Sequence, residues 1–503
     1  MSEGTGRPGR KLVLGVIDAL KPEMLDRAIT EGRAPALAAL RERGLYVRDS
    51  VAAFPSLTPV CAASIATGLS VDVHEVPATN WYHRGEERYI EYGSSFAATQ
   101  AHGVRRSLID TVYNLNLAHL TRDRKTVFEH LDDAGLRTAG TTYLVYRGRT
   151  RHAPAAEGMY PRIARAAQFT HGTWGPGELF YADLFASRDT GCTSALGMPG
   201  QRDQHTGCVG AHLVEQDLFD FLLFSLPDND THSHRRGPYA QVTSIASADH
   251  ALERIMHVAG GIDAFLEDHA VIVMSDHSQT AVEDRVSLGA AFGDLRVLSP
   301  VDADPAAADI AVCPIGRFAG IYALDRERRD EVATRVTDRA LGVDGVDLCA
   351  RWGEDRSEAV VRSGQGELRF APGGELAGPR GWRWNVEGDL GVLGLSVEDG
   401  RVRSRTYPDA LRRLWTALSC PNSGDVLLSA APGYELPDWG GSDHIGGGSH
   451  GSLHRHDSLG AILACGLEGA GPPEREQWSI EDVTPLVLEH FGVADEGEAG
   501  AVG

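Results

Sequence analysis

The stretch Leu218–Pro238, LFDFLLFSLPDNDTHSHRRGP, changes character at Asp228. Up to that point it is an apolar run with little polar alternation. Such a run suits a strand buried on both faces of a parallel sheet. Beyond it two aspartates and two histidines interleave, so that Asp228/His232 and Asp230/His234 are each four residues apart. On this stretch alone, metal ligands and a solvated polar loop are both open. Two other runs end in the same way: KLVLGVID at Asp18, and HAVIVMSDH at Asp276 and His277. Helical patterns lie between them, over Pro22–Gly32, Pro35–Gly44, Lys125–Ala134 and Ala240–Asp268. The alternation predicts an α/β fold with a mostly parallel central sheet and helices on both faces. Ligands collect at the carboxyl ends of such strands, which is where these acidic residues fall.

The chain has 503 residues, enough for two or three domains or for one large core with an inserted cap. Residues 10–295 read as the first part of the core, with a smaller insertion at about 76–122. Residues 296–437 are rich in Gly, Arg and Glu, with short alternating segments such as GELRFAPGG and WRWNVEGDLG. They read as an inserted α+β cap. The core is expected to resume over 438–492 and to end in a flexible tail, 493–503. The segment GRPGRKLVLGVIDAL imitates a signal peptide, but its apolar run is short and Asp18 interrupts it. No stretch approaches the roughly 18 apolar residues of a membrane span. The seven cysteines are scattered without a CxxC, which predicts reduced thiols, with a Cys192–Cys208 bridge as the competing reading. A soluble, cytoplasmic protein is the expectation, without a membrane partner and with a homo-oligomer left open. A net charge of −22 argues against binding a nucleic-acid polymer. It would also repel a small phosphate ester unless a local positive centre reverses the field.

Four further segments carry chemistry. In FPSLTPVCAASIATG, Phe54–Gly68, Thr58 precedes Pro59 and an alanine-rich run, as an N-cap precedes a helix. A capped helix is a sufficient explanation. The functional alternative places the Thr58 hydroxyl at the positive end of a helix, where an anion binds well. In SDHSQT, adjacent Asp276 and His277 reach one ion only if the chain turns just after Ser275. His450 lies in the glycine-rich HIGGGSHG, with His444, His454 and His456 as competitors. Asp18 ends the first strand, either as a turn residue or as a ligand. Singly each has a bland explanation. Together they offer Asp and His donors that suit zinc or manganese.

This order of motifs resembles the alkaline phosphatase superfamily, and within it the type I phosphodiesterase/nucleotide pyrophosphatase branch, with phosphonoacetate hydrolase as a near relative. FPSLT matches the nucleophile motif at Phe54–Thr58, SDHS the metal motif at Ser275–Ser278, and GSHG the motif at Gly448–Gly451. VHEVPATNWY is similar to the segment that follows the nucleophile helix. The resemblance implies an alkaline phosphatase-like core and two divalent ions, zinc or else manganese. Asp230, His234 and His450 would hold one ion, and Asp18, Thr58, Asp276 and His277 the other. Thr58 would attack phosphorus and water would then release it. In the family two residues and then Gly-Pro follow the His of this motif, as Arg235–Pro238 follow His234 here, so the resemblance implies Asp230 and His234 as the ligand pair and His232 as a pocket neighbour, with Asp228 and His232 as the alternative pair. Asn80 is a candidate donor to a phosphate oxygen. Arg147 and Arg149, in YRGRTRH, are candidates for binding the leaving group, against a solvated basic loop. The expected function is hydrolysis of small phosphoric esters, diester or monoester. The alternatives are cleavage of a phosphonate carbon–phosphorus bond and non-catalytic binding of a phosphorylated ligand.

Overall fold

In a computed structural model the described residues are 9–154, 169–301, 304–469 and 474–494. Most of the expected tail, from residue 495 on, lies outside them. The central sheet has eight strands. In spatial order they are Leu45–Val51, Leu459–Cys465, His269–Met274, Lys11–Ile17, Phe221–Leu226, Thr138–Thr141, Glu178–Tyr181 and Phe185–Ala186. The five strands from His269–Met274 to Glu178–Tyr181 run parallel, and the outer ones join antiparallel. The sheet is therefore mostly parallel, as its unalternating apolar runs imply.

Lys11–Ile17 shows why those runs lack polar alternation. Leu12, Leu14 and Val16 pack into one core with Ile65 and Phe128 from helices Thr58–Thr67 and Val127–Asp133. Val13 and Ile17 pack into a second core on the opposite face, with Leu25, Leu37, Val209 and Leu252 from four other helices. Alternate side chains of one strand thus meet different helical layers, and both layers exclude water.

A second sheet of nine strands, almost wholly antiparallel, lies between residues 310 and 430. A three-stranded sheet joins Gly433–Glu435, Thr280–Arg285 and Gly448–Ser449. The segment that follows the helix Thr58–Thr67 forms a hairpin, Asn80–His83 with Arg88–Glu91, followed by helices.

Three local expectations need correction. The helix expected over Ala240–Asp268 is two helices, Val242–His257 and Ile262–Asp268, because Gly260 and Gly261 adopt φ +98° and +104° between them. Thr58 is the first residue of its helix and Leu57 the N-cap, and the Thr58 side chain makes no cap bond. The reduced-thiol expectation fails at Cys192 and Cys208, which form a disulfide; the other five cysteines are free and buried. Among the described residues no helix is long and apolar enough to cross a membrane.

Candidate metal centre

The carboxyl ends of three neighbouring parallel strands bring the acidic residues together. Asp18 follows Lys11–Ile17, and Asp276 and His277 follow His269–Met274, where the strand stops before Ser275 and the chain turns. Phe221–Leu226 runs into the helix Asp228–Arg236. Asp230 and His234 are one turn apart on that helix and so share a face. His450 enters from the loop after Gly448–Ser449, which pairs with Thr280 and Ala281. Two groups of donor atoms result, Asp230/His277/His450 and Asp18/Asp276/His277, each within 4.8 Å of one another. The Nε2 atom of His277 is 3.6 Å from Asp18, 3.4 Å from Asp276 and 3.2 Å from Thr58 Oγ1. Asp230 is 3.3 Å from His234 Nε2 and 3.5 Å from His450 Nε2. All seven residues expected as ligands therefore meet in one place.

The imidazoles are oriented from behind. Nδ1 of His234 faces the Gly448 carbonyl at 2.8 Å, Nδ1 of His450 that of Ser56 at 2.8 Å, and Nδ1 of His277 that of Ser278 at 3.1 Å. A carbonyl only accepts, so Nδ1 of each ring carries a proton and Nε2 faces the carboxylates; His277 and His450 are neutral and aim a lone pair there, whereas burial lowers His234 but Asp230 outweighs it and favours the charged ring. Lone pairs facing one another repel unless a proton or a cation lies between them. Tetrahedral zinc with ligand bonds of 2.0–2.1 Å separates its ligands by about 3.3 Å. The observed gaps cluster around that value. Asp18 Oδ1, moreover, is buried without a hydrogen-bond partner. These residues fit a divalent cation.

The electrostatics agree. Burial, then Asp276 and Asp230, push the Asp18 carboxyl well above its usual range. Burial and Asp230 push Asp276 up to about 6, although the Ala19 and His277 N–H groups counter this. Burial also raises Asp230, but His234, His450 and His277 outweigh it and hold this carboxyl far below the usual range. Burial lowers His277, and burial with the neighbouring His277 lowers His450 to about 3, so both stay neutral. A buried site with three clustered carboxylates is costly without a cation.

The interleaved stretch divides its labour. Asp228 faces away from the cluster, pairing with Arg202 at 2.9 Å and accepting from the Gly200 N–H at 2.8 Å. Asn229 is fully buried and donates to the Asp18 carbonyl at 2.8 Å. The His232 ring meets the Ala240 carbonyl at 3.1 Å, on another face of the helix from Asp230 and His234, so it is not brought into the cluster.

Three other candidates are occupied elsewhere. The Asn80 amide donates to the Ile90 carbonyl at 3.0 Å and lies 3.3 Å from His102 Nε2 inside the hairpin segment. Arg147 is buried, with Glu129 at 3.0 Å and the Thr121 and Arg124 carbonyls at 2.7 Å. Arg149 lies on the surface, bound to Asp133 at 2.9 Å. Both arginines are saturated by neighbours of their own segment, so the structure does not place them as leaving-group ligands.

Several supporting residues escaped the sequence reading. Gln279, two residues after His277, donates its amide to Asp230. Gln241 Nε2 donates to the Ala19 carbonyl at 2.8 Å. Arg317 and Asp457 are both fully buried and paired at 2.8 Å. The only visible signal was polar side chains beside ligand motifs.

Comparison with solved structures shows the same fold across essentially the whole chain. Phosphonoacetate hydrolase from Sinorhizobium meliloti 1021, solved with phosphonoformate, is 18% identical with a TM-score of 0.55, covering 97% of this chain and 98% of that one. Human ectonucleotide pyrophosphatase/phosphodiesterase 5 is 12% identical with a TM-score of 0.56, covering 96% of each chain. The sequence has no match among curated proteins. The model of the type I phosphodiesterase/nucleotide pyrophosphatase family matches residues 12–453, a span that holds all seven clustered residues, and the chain therefore belongs to that family of phosphoric ester hydrolases in the alkaline phosphatase superfamily.

Proposed function

We propose that the protein hydrolyses small phosphoric esters through Thr58 at a two-ion centre, with zinc as the resident metal. One observation carries this reading. Thr58 Oγ1 lies 3.2 Å from His277 Nε2, at the first turn of the ten-residue helix Thr58–Thr67 and against both donor groups. Backbone N–H groups at that end of a helix favour a phosphoryl group. Divalent ions, when bound, would lower the pKa of the hydroxyl and neutralise charge on the phosphoryl oxygens. They would also offset the repulsion of an anionic ester by a chain of net charge −22.

Asp230, His234 and His450 would hold one ion, and Asp18, Thr58, Asp276 and His277 the other. The carbonyls of Gly448, Ser56 and Ser278 keep the three rings in the tautomer that can ligate. Thr58 Oγ1 gives up its proton to solvent and bonds to phosphorus, the bond from phosphorus to the leaving oxygen breaks, and that oxygen takes up a proton from water as it departs. Water then attacks the phosphothreonine and restores the hydroxyl. A mouse relative of the same fold was solved with AMP as an inactive threonine-to-alanine form, which supports a threonine in this role.

A second reading has its own support. The phosphonoacetate hydrolase of similar fold was solved with phosphonoformate and with phosphonoacetate. On a phosphonate the same attack would break the bond from phosphorus to carbon, and the carbon would take up a proton. A substrate panel separates the readings. Zinc-loaded protein should release nitrophenol from bis-p-nitrophenyl or p-nitrophenyl phosphate. Phosphate released from phosphonoacetate without ester cleavage would favour the phosphonate reading. Turnover of none of these would remove the hydrolase proposal.

A further inference from the structure

The second sheet touches the metal centre through one hairpin turn. Gly316 and Arg317 lie between strands Ile310–Ile315 and Phe318–Ala323. Gly316 has φ +58°, and a Cβ there would lie 2.4 Å from the His450 carbonyl oxygen. The Arg317 N–H donates to that same oxygen at 2.7 Å. The Arg317 side chain is fully buried. Its Nε donates to Asp457 at 2.8 Å, Nη1 to the Ala431 carbonyl at 3.0 Å and to that of Tyr434, and Nη2 to the Ala430 carbonyl at 3.3 Å and Ser452 Oγ at 3.4 Å. Asp457, equally buried, also accepts from the Ser452 N–H at 2.8 Å and from the Thr280 hydroxyl, and its carbonyl accepts from the Ser278 N–H at 2.7 Å. The pair thus holds the chain just after two donors, at Ser278 and Thr280 after His277 and at Ser452 after His450, and the rings of these two histidines stack at 3.9 Å.

A buried ion pair is a poor way to stabilise a fold, since apolar residues of equal volume often do better. What this pair supplies is direction: a planar guanidinium with every nitrogen engaged has one position. We propose that Arg317 and Asp457 form a positioning clamp for His450, so that tight ion binding at Asp230/His234/His450 depends on the second sheet. The clamp rests on the two-ion reading above.

The test is zinc titration of metal-free protein against a competing chromophoric chelator, for wild type and Arg317→Lys. Lysine keeps the charge beside Asp457 but cannot hold the carbonyls of Ala430, Ala431 and Tyr434 together. The expected result is two tight equivalents in the wild type. In the variant one equivalent should be weaker by about 10- to 100-fold while the other is unchanged. Gly316→Ala forces a Cβ against the His450 carbonyl that the Arg317 N–H holds, without altering any charge, and should show the same selective loss, which covers failure of the lysine variant to fold. Wild type that takes up fewer than two equivalents would overturn the two-ion reading. Unchanged affinities in both variants, or equal weakening of both equivalents, would overturn the clamp whatever the stoichiometry.

Discussion

Replacing Asp276 with asparagine separates two opposed effects of the same carboxylate. Asp276 is 2% exposed, and burial together with Asp230 pushes it up to about 6 from 3.8. An acid raised in the folded state contributes its full stability while protonated, below its unfolded value, and loses it as pH rises through the folded value. Two pH units at 1.36 kcal/mol each give about 3 kcal/mol, lost between about pH 4 and pH 6. Above pH 7 the metal-free protein carries the whole penalty. Asparagine removes the charge but keeps Oδ1, which accepts from the Ala19 and His277 N–H groups at 3.1 and 2.9 Å. A chain of this size unfolds with an entropy of roughly 1 kcal/mol per degree. In EDTA at pH 8, Asp276→Asn should therefore melt about 3 °C above the wild type, and the gap should narrow below pH 6 and close towards pH 4. Zinc should reverse the order. At a hundredfold excess over Kd, one bound ion adds about 2.7 kcal/mol to the wild type, whereas the variant lacks the ligand charge. Calorimetry with EDTA and with zinc reads both effects. A variant that melts below the wild type in EDTA at pH 8 would refute the like-charge argument. One that gains as much from zinc as the wild type would refute the role as ligand.

Two further outcomes follow from the residues around the centre. Arg147→Ala should cost about 1–3 kcal/mol in denaturant titration, because Glu129 loses its buried partner and keeps only the exposed Arg149 and the Thr126 N–H, while Arg149→Ala should leave KM within about twofold. Glu75 ends the helix Val71–His74 with φ +69°, so Glu75→Gly should raise stability by about 1 kcal/mol in the same titration.

The parts legible in the sequence were those fixed by local chemistry. Apolar runs such as Phe221–Leu226 and His269–Met274 announce doubly covered strands, and the acids that end them fall where a parallel sheet collects its ligands. Helical spacing puts Asp230 and His234 on one face, and the resemblance to the family's Gly-Pro spacing singled that pair out. Asp228 and His232 have the same spacing but another azimuth, and Asp228 is taken by Arg202, 26 residues earlier in the chain. Gly260-Gly261 shows a different limit, since the hydrophobic period runs through a break that backbone conformation imposes. Arg147 looked like an anion ligand because the sequence does not reveal that Glu129 and two carbonyls consume its donors. The Arg317–Asp457 pair joins residues 140 apart and left no local pattern to read.

The most direct test of the account is Thr58→Ala, with kcat measured on a substrate the wild type turns over and zinc content measured on the same preparation. A nucleophile that forms a covalent bond to phosphorus predicts a loss of about 1000-fold or more in kcat. The aspartates and histidines should still retain zinc. A variant that keeps its zinc and more than a tenth of the wild-type kcat would contradict the assignment of Thr58, and with it the mechanism built on it.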